Sequence, residues 1–404
     1  MQLKSCKKTY NIETQRAVPL EETLARIEPK VPAAGITRVA DITNLDRIGI
    51  PVFSCIRPTA EPGAITVYNG KGATTEESRI SAIMEGIERY SSELHDRRVH
   101  FAPYMEMFAH GRVLDPTDLI LPKDPDLDRA LPWVEGVDIA NDDEAVFVPA
   151  HAVFHPLPRN YRQLFRTNTN GLASGNTMEE AVFHALAEVI ERDAWSLVEA
   201  SRDTGASVFN IDDTACLGMQ KKFSDAQVEV RVRDITSDIG IPTMAAVADD
   251  VLLRDPMLLT IGIGTHTSAR IAVMRALTEV AQSRLTQIHG AREDTTHAEL
   301  RKKMGYDRAK RINAYWFKDN GVVDYNRIAS CDSDDFLTDI RFVTEALKKQ
   351  GLDRVIVVDL TREEIGIPVV RVIVPGLEIF AMDPERRGKR ADNAKDHRLS
   401  RPQS

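Results

Sequence analysis

The chain has 404 residues, a net charge of −9, 43% hydrophobic and 28% charged residues, values ordinary for a soluble globular protein with a sizeable core. Its acidic balance argues against a generic nucleic-acid binder, which needs concentrated positive charge for phosphate. Cys6, Cys55, Cys216 and Cys331 are scattered without a CxxC pair, the N-terminus lacks a signal-peptide core, and no apolar run approaches a membrane span; zinc, a disulfide framework and membrane association are all disfavoured, and a cytoplasmic protein is expected.

The first sixty residues are rich in proline and short apolar runs, after which "AITVYNG" reads as a strand entering a turn and "TEESRISAIMEGIERYSSELH" as a helix with early acidic residues. Residues 111 to 143 carry many Asp and Pro and suit an irregular surface excursion. "EAVFVPAHAVF" resumes a strand pattern, and "TMEEAVFHALAEVIERDAWSLVEA", free of Gly and Pro, is expected to be the best helix. "VEVRVRDIT", "IPTMAAVA" and "MLLTIGIG" follow as strands, then a helix from about Ala269 to Gln287. The helix "FLTDIRFVTEALKKQ" precedes the β-branched strands "DRVIVVDL" and "IPVVRVIVPG". The order is mixed α/β. Residues 1–382 read as one domain and 383–404, basic and poor in apolar residues, as a mobile tail.

A unit is written more than once. "SAIMEGIERY" at 81 to 90 reappears as "HALAEVIERD" at 184 to 193, pairing Glu85, Glu88 and Arg89 with Glu188, Glu191 and Arg192. A looser copy, "RALTEVAQSR", puts Glu279 and Gln282 at the two acidic positions. Each copy follows a Gly-containing segment: "YNGKGATT", "TNGLASGNT" and "GIGTHTS". A spacing of about a hundred residues is too long for a solenoid, so duplicated strand-loop-helix subdomains around a shared site are expected.

On a helix, Glu85 and Glu88 lie about 60° apart, and Glu180, Glu188 and Glu191 fall within about 80° of one another. Val182, Leu186, Val189 and Ile190 occupy a different, core-facing side. In a single copy, Glu85 with Arg89 or Glu188 with Arg192 is accounted for as an i,i+4 pair on a solvated face, worth a few tenths of a kcal/mol. Recurrence behind matching loops points instead to function. Stripes of carboxylates facing one another repel unless a cation lies between them, and Mg2+, with oxygen ligands shared between carboxylates and phosphate, is the natural one. Glycine-containing loops at helix starts offer N–H groups for that phosphate. No Walker or protein-kinase signature is present.

In this order and spacing, "NGKGAT" with "EGIER", "TNGLASGNTMEEA" with "AEVIERD", and "RALTEVAQSR" with "GARED" resemble the YcaO family of ATP-dependent peptide-backbone modifying enzymes, over about residues 10 to 380. The block "GITRVADITNLDRIGIPVFSCIRP" resembles its archaeal thioamide-forming members. The resemblance implies a YcaO-type fold in which Glu85, Glu88, Glu180, Glu188 and Glu191 hold Mg2+ on an ATP triphosphate. It places Asn170 and Asn176 near the nucleotide and Arg192 and Arg284 on phosphate. From "QRAVPLEETLARI" it makes Arg16 and Thr23 phosphate contacts. Arg284 pairing with Glu279 or Glu293, and Asn170-Gly171 as a simple turn, stay open as structural alternatives.

The resemblance further implies phosphorylation of a peptide carbonyl oxygen. The nucleophile sets the product: a Cys, Ser or Thr side chain gives an azoline, sulfide a thioamide. Because the sequence ends in "RLSRPQS" and not the proline-rich tail of azoline formers, thioamidation is expected, with a glycine of the methyl-coenzyme M reductase alpha subunit as substrate, a TfuA-like or other sulfur-delivering partner, and a homodimeric state. A Mg2+-dependent hydrolase and a non-catalytic ATP-binding scaffold are the rivals.

Overall fold

The structure, a computed structural model, describes residues 1–12, 14–127, 129–158, 160–161, 163–293 and 296–397. A short hairpin, β1 (Tyr10–Asn11) with β2 (Gln15–Arg16), leads into helix α1 (Leu20–Ile27). Strands β3 (Arg38–Asp41), β4 (Val52–Ile56) and β5 (Val67–Lys71) form an antiparallel sheet that runs into α2 (Thr75–Ser91). Next come β6 (His100–Ala102), the single turn α3 (Tyr104–Met107), β7 (Leu131–Asp138), β8 (Glu144–Pro149) and β9 (Leu172–Ser174), which enters the 24-residue helix α4 (Met178–Ser201).

Strand β10 (Ser207–Phe209) and helix α5 (Thr214–Asp225) precede an antiparallel meander of β11 (Glu229–Asp234), β12 (Thr243–Asp249) and β13 (Thr260–Thr265), which enters α6 (Ala269–His289). Helices α7 (Thr296–Met304), α8 (Tyr306–Ile312) and α9 (Ala314–Phe317) lead to β14 (Val322–Asp324), completing a sheet of order β13-β12-β11-β10-β14. Helix α10 (Phe336–Lys349) is followed by β15 (Ile356–Asp359) and β16 (Val369–Ile373), which fill the sheet β6-β7-β15-β16-β9, with β8 paired to β7. A last turn, α11 (Lys389–Asp392), lies against α4.

The three sequence copies are three strand-loop-helix units: β5 with α2, β9 with α4, and β13 with α6. Their glycines let each helix lie directly on its strand. A Cβ on Gly70 would come 2.0 Å from the Ala82 backbone nitrogen, on Gly175 2.4 Å from that of Ala181, and on Gly262 2.3 Å from the Ala276 carbonyl oxygen. The first two helices are capped from their loops: Thr74 accepts from Glu77 N–H, Glu77 accepts from Ala73 N–H, and Thr177 accepts from Glu180 N–H.

Each repeated helix anchors its own part of the core. Ile80, Ile83 and Ile87 of α2 pack in the cluster that holds Trp133 and Val148. The expected apolar face of α4 (Val182, Leu186, Val189 and Ile190) packs with Val357, Val370 and Val372 and with Ile340 and Val343 of α10. Val273, Leu277 and Val280 of α6 meet Met219 and Phe223 of α5. The helices thus have apolar backs and polar fronts.

Two expectations change. Within the segment read as an irregular excursion, Leu131–Asp138 is a largely buried strand of the six-stranded sheet; the Asp and Pro residues around it hid its apolar run. The segment read as a mobile tail is packed as far as residue 397, and residues 398–404 lie outside the described ones. Arg386 donates to the carbonyls of Leu119 and Ile120, Arg390 is bound to Asp193 and Asp238, and Glu378 accepts from the N–H groups of Gly388 and Ala391. Composition counts such charges as solvated, whereas here Arg386 and Arg390 are buried, Arg390 in ion pairs.

Candidate active site

The polar fronts of α2, α4 and α6 converge on one cleft of about 920 Å3. Glu85, Glu88 and Arg89 come from α2, Glu188, Glu191 and Arg192 from α4, and Arg275, Glu279 and Gln282 from α6. Arg16, Lys71 and His184 also line the cleft. The units are tied in a ring. The N–H and hydroxyl of Ser174, at the end of β9, donate to Glu88 of α2 at 2.9 and 2.7 Å. The N–H of Thr265, at the end of β13, donates to Glu191 of α4 at 3.1 Å. Gln282 of α6 closes the ring by donating to the carbonyl of Asn69 on β5.

Arg89 holds Glu85 at 2.9 Å, Arg192 lies 3.8 Å from Glu188 and 3.6 Å from Glu191, and Lys71 is paired with Glu279. Arg275 forms no ion pair within 4.0 Å among the described residues, and its buried Nε has no hydrogen-bond partner. Burial pushes Glu88 up to about 7 despite the Ser174 hydrogen bonds, with Glu85 adding to the rise. Burial likewise raises Glu191 to about 7 against Arg192, with Glu279 adding to the rise. Burial raises Glu188 too. For Glu279, the rise from burial is outweighed by Lys71 and Arg192, and its carboxyl is held below the ordinary range. Burial, then Arg275, drives His184 down to about 3, so its imidazole is neutral.

This donor set fits Mg2+ with a polyphosphate. Its potential ligands are hard carboxylate oxygens, two of them raised to about 7 chiefly by burial, and beside them stand the guanidiniums of Arg275 and Arg192. Among the described residues no group of three or more His, Cys, Asp or Glu is arranged to hold a metal ion unaided.

The structure brings Glu85, Glu88, Glu188, Glu191, Arg16 and Arg192 into the cleft lining. Glu180 and Asn176 sit beside it: the buried Glu180 carboxylate accepts from Ala17 N–H and Asn176 and lies 3.5 Å from Arg16. Thr23 is buried, its hydroxyl donating to the Pro19 carbonyl, and Asn170 lines a separate pocket. Arg284 is fully buried between Asp46 and Asp250, so both its expected phosphate contact and the alternative pairing with Glu279 or Glu293 give way to a structural ion network. The sequence reading missed Arg275, Lys71 and His184. The signal for Arg275 was its place four residues before Glu279, one turn along the same face.

The sequence profile described as YcaO cyclodehydratase, ATP- and Mg2+-binding, matches residues 69–378. The chain belongs to the YcaO family. ATP and Mg2+ are therefore its cofactors, and ATP-dependent peptide modification its activity. An uncharacterised YcaO relative from Methanothermobacter thermautotrophicus is 51% identical over 380 residues, covering 93% of this chain and 98% of its own. A protein from Rhizobium leguminosarum bv. trifolii, described as lying in the tfuA 3' region, is 32% identical over 381 residues, covering 90% and 89%. The YcaO of Methanopyrus kandleri, solved with AMPPCP and Mg2+, superposes with a TM-score of 0.81 at 29% identity over 99% of both chains. Among the described residues no helix is long and apolar enough to cross a membrane.

Proposed function

We propose that this YcaO protein is a peptide-backbone thioamide synthetase acting on a glycine of the methyl-coenzyme M reductase alpha subunit with sulfide. The observation that carries the reading is the convergence of the Glu85/Glu88, Glu188/Glu191 and Arg275/Glu279 faces on one cleft. The relative described by its tfuA region supports sulfur chemistry and a TfuA-like delivery partner. A homodimer in the cytoplasm, with residues 1–382 as the catalytic unit, belongs to the same proposal.

An amide carbonyl is a poor electrophile because resonance strengthens its C–N bond. Once hydrosulfide has added to the carbon, the former carbonyl oxygen becomes the group to be expelled, and ATP supplies the phosphoryl group that lets it leave as phosphate. Arg16, Lys71, Arg192 and Arg275 then bind and neutralise phosphate, while Glu85, Glu88, Glu188 and Glu191 hold Mg2+. A peptide labelled with heavy oxygen at the modified carbonyl, incubated with protein, ATP and sulfide, is expected to pass its label to phosphate and gain the sulfur-for-oxygen mass difference. Unlabelled phosphate beside a modified peptide overturns the mechanism. Loss of water across a Cys, Ser or Thr establishes the second reading, azoline formation, which the cyclodehydratase description of the family favours. Cleavage without ATP points to a hydrolase, and nucleotide binding without turnover to a scaffold.

A further inference from the structure

Beside α4 lies a second, smaller pocket of about 70 Å3, lined by Phe165, Asn168, Asn170, Val189, Arg371 and Arg386 among others. It has room for a small ion and not for a nucleotide. Its two guanidiniums are 3% and 5% exposed, and among the described residues neither has a carboxylate within 4.0 Å. Their hydrogen bonds go to uncharged groups. Arg371 Nε donates to the Ala152 carbonyl at 2.9 Å and its Nη2 to the Asn168 carbonyl at 2.8 Å. Arg386 donates to the carbonyls of Ile120 and Leu119 at 2.7 and 2.6 Å and stacks on Phe165, 3.7 Å from the ring centre.

Arg371 Nη1 is buried with no partner, and so is Asn170 Oδ1. A half-turn of the Asn170 amide, whose two ends are set only by their hydrogen bonds, puts its NH2 where the unpaired oxygen stands, and both residues line the pocket. Burial brings both guanidiniums down to about 10, with Glu188 supplying the main opposing charge at Arg371, and Asp383 and Glu378 at Arg386. Two buried cations without a contacting counter-ion, one with an unused N–H, leave a charge deficit that one small anion removes.

We propose that this pocket binds a small monoanion of the size of hydrosulfide or chloride, held by Arg371 Nη1 and the Asn170 amide. Val189, in the pocket wall, is the sequence neighbour of the cleft carboxylate Glu188. The site does not depend on which peptide product the enzyme makes. If hydrosulfide is the occupant, the pocket also holds a reserve of the nucleophile beside α4.

The test is a crystal of the full chain soaked in sodium bromide, together with melting curves across a bromide series. An anomalous peak within hydrogen-bond reach of Arg371 Nη1, and a melting temperature that rises with bromide in the wild type but not in Asn170→Leu, are expected. Arg371→Met is expected to lose the peak as well; Asn170→Leu leaves both cations in place and serves if Arg371→Met fails to fold. Competing sodium hydrosulfide against bromide names the source: displacement of the peak assigns hydrosulfide, and its retention assigns halide. Density for water alone in the wild-type pocket, or an equal bromide dependence in Asn170→Leu, overturns the proposal.

Discussion

Replacing Arg390 by methionine keeps the side chain's length and apolar stem while removing the charge that fastens the C-terminal segment to α4. Arg390 is 7% exposed and Asp193 fully buried. Two bonds to Asp193, at 2.9 and 2.8 Å, and two to Asp238, at 2.7 and 3.3 Å, are lost together. Breaking one side of a buried ion pair costs about 3–5 kcal/mol, because the remaining carboxylate stays desolvated. With an unfolding entropy of about 2 cal/mol/K per residue over the whole chain, that corresponds to a drop in melting temperature of about 4–6 °C. Arg387→Met, whose partner Asp392 is on the surface, is the control and is expected to move the transition by less than about 1 °C. Calorimetric melting of the three proteins measures the difference. If Arg390→Met melts within a degree of wild type, residues 383–397 are not the clamp described above.

Glu85→Gln and Glu191→Gln are each expected to abolish Mg2+-dependent ATP turnover while leaving the melting temperature within a few degrees of wild type; normal turnover in either removes that residue from the metal site. Arg275→Ala is expected to raise the KM for ATP, whereas Arg284→Ala, which strands buried Asp46 and Asp250, is expected to lower stability by about 3–5 kcal/mol, and a reversal of these phenotypes would contradict both placements. In the fold Glu88 and Glu191 keep their protons up to about pH 7, against an ordinary value of 4.5. The unfolded chain therefore binds fewer protons between those limits, and their contribution makes the nucleotide-free protein lose stability as pH rises from about 5 to 7. Mg2+ with an ATP analogue is expected to expel these protons near pH 6.5; identical calorimetric heats in buffers of different ionisation enthalpy would show that none are released.

The repeated units were legible because each is local: a strand, a glycine and a helix within about thirty residues, with apolar and acidic faces set by helical period. That is why Glu85, Glu88, Glu188 and Glu191 were found together with the apolar face of α4. Arg284 was misplaced because its partners, Asp46 and Asp250, are remote in sequence and lie in unrelated segments. The same holds for Arg390 with Asp193, where a polar terminal stretch gains a buried counter-charge that only the tertiary structure supplies. Strand β7 failed for a local reason: turn-forming residues on its flanks outweighed its own apolar run.

The ring of hydrogen bonds also explains why the third copy departs from the first two. Glu88 and Glu191 each accept an N–H from the strand of the following unit, Ser174 for α2 and Thr265 for α4. When the ring returns to the first unit, the group presented to α6 is the carbonyl oxygen of Asn69, which offers lone pairs and no proton. A carboxylate at position 282 would face that oxygen unpaired in a desolvated corner, at the cost of a buried acceptor left without a donor. Gln282 keeps the geometry and supplies the donor. The substitution also sets the charge. The third helix contributes one carboxylate, Glu279, which Lys71 already neutralises, and it adds the guanidinium of Arg275 to the cleft. In the proposed function the first two helices supply the carboxylates for Mg2+ and Arg275 joins Arg16, Lys71 and Arg192 on phosphate, so one unit written three times would serve both halves of a metal-nucleotide site.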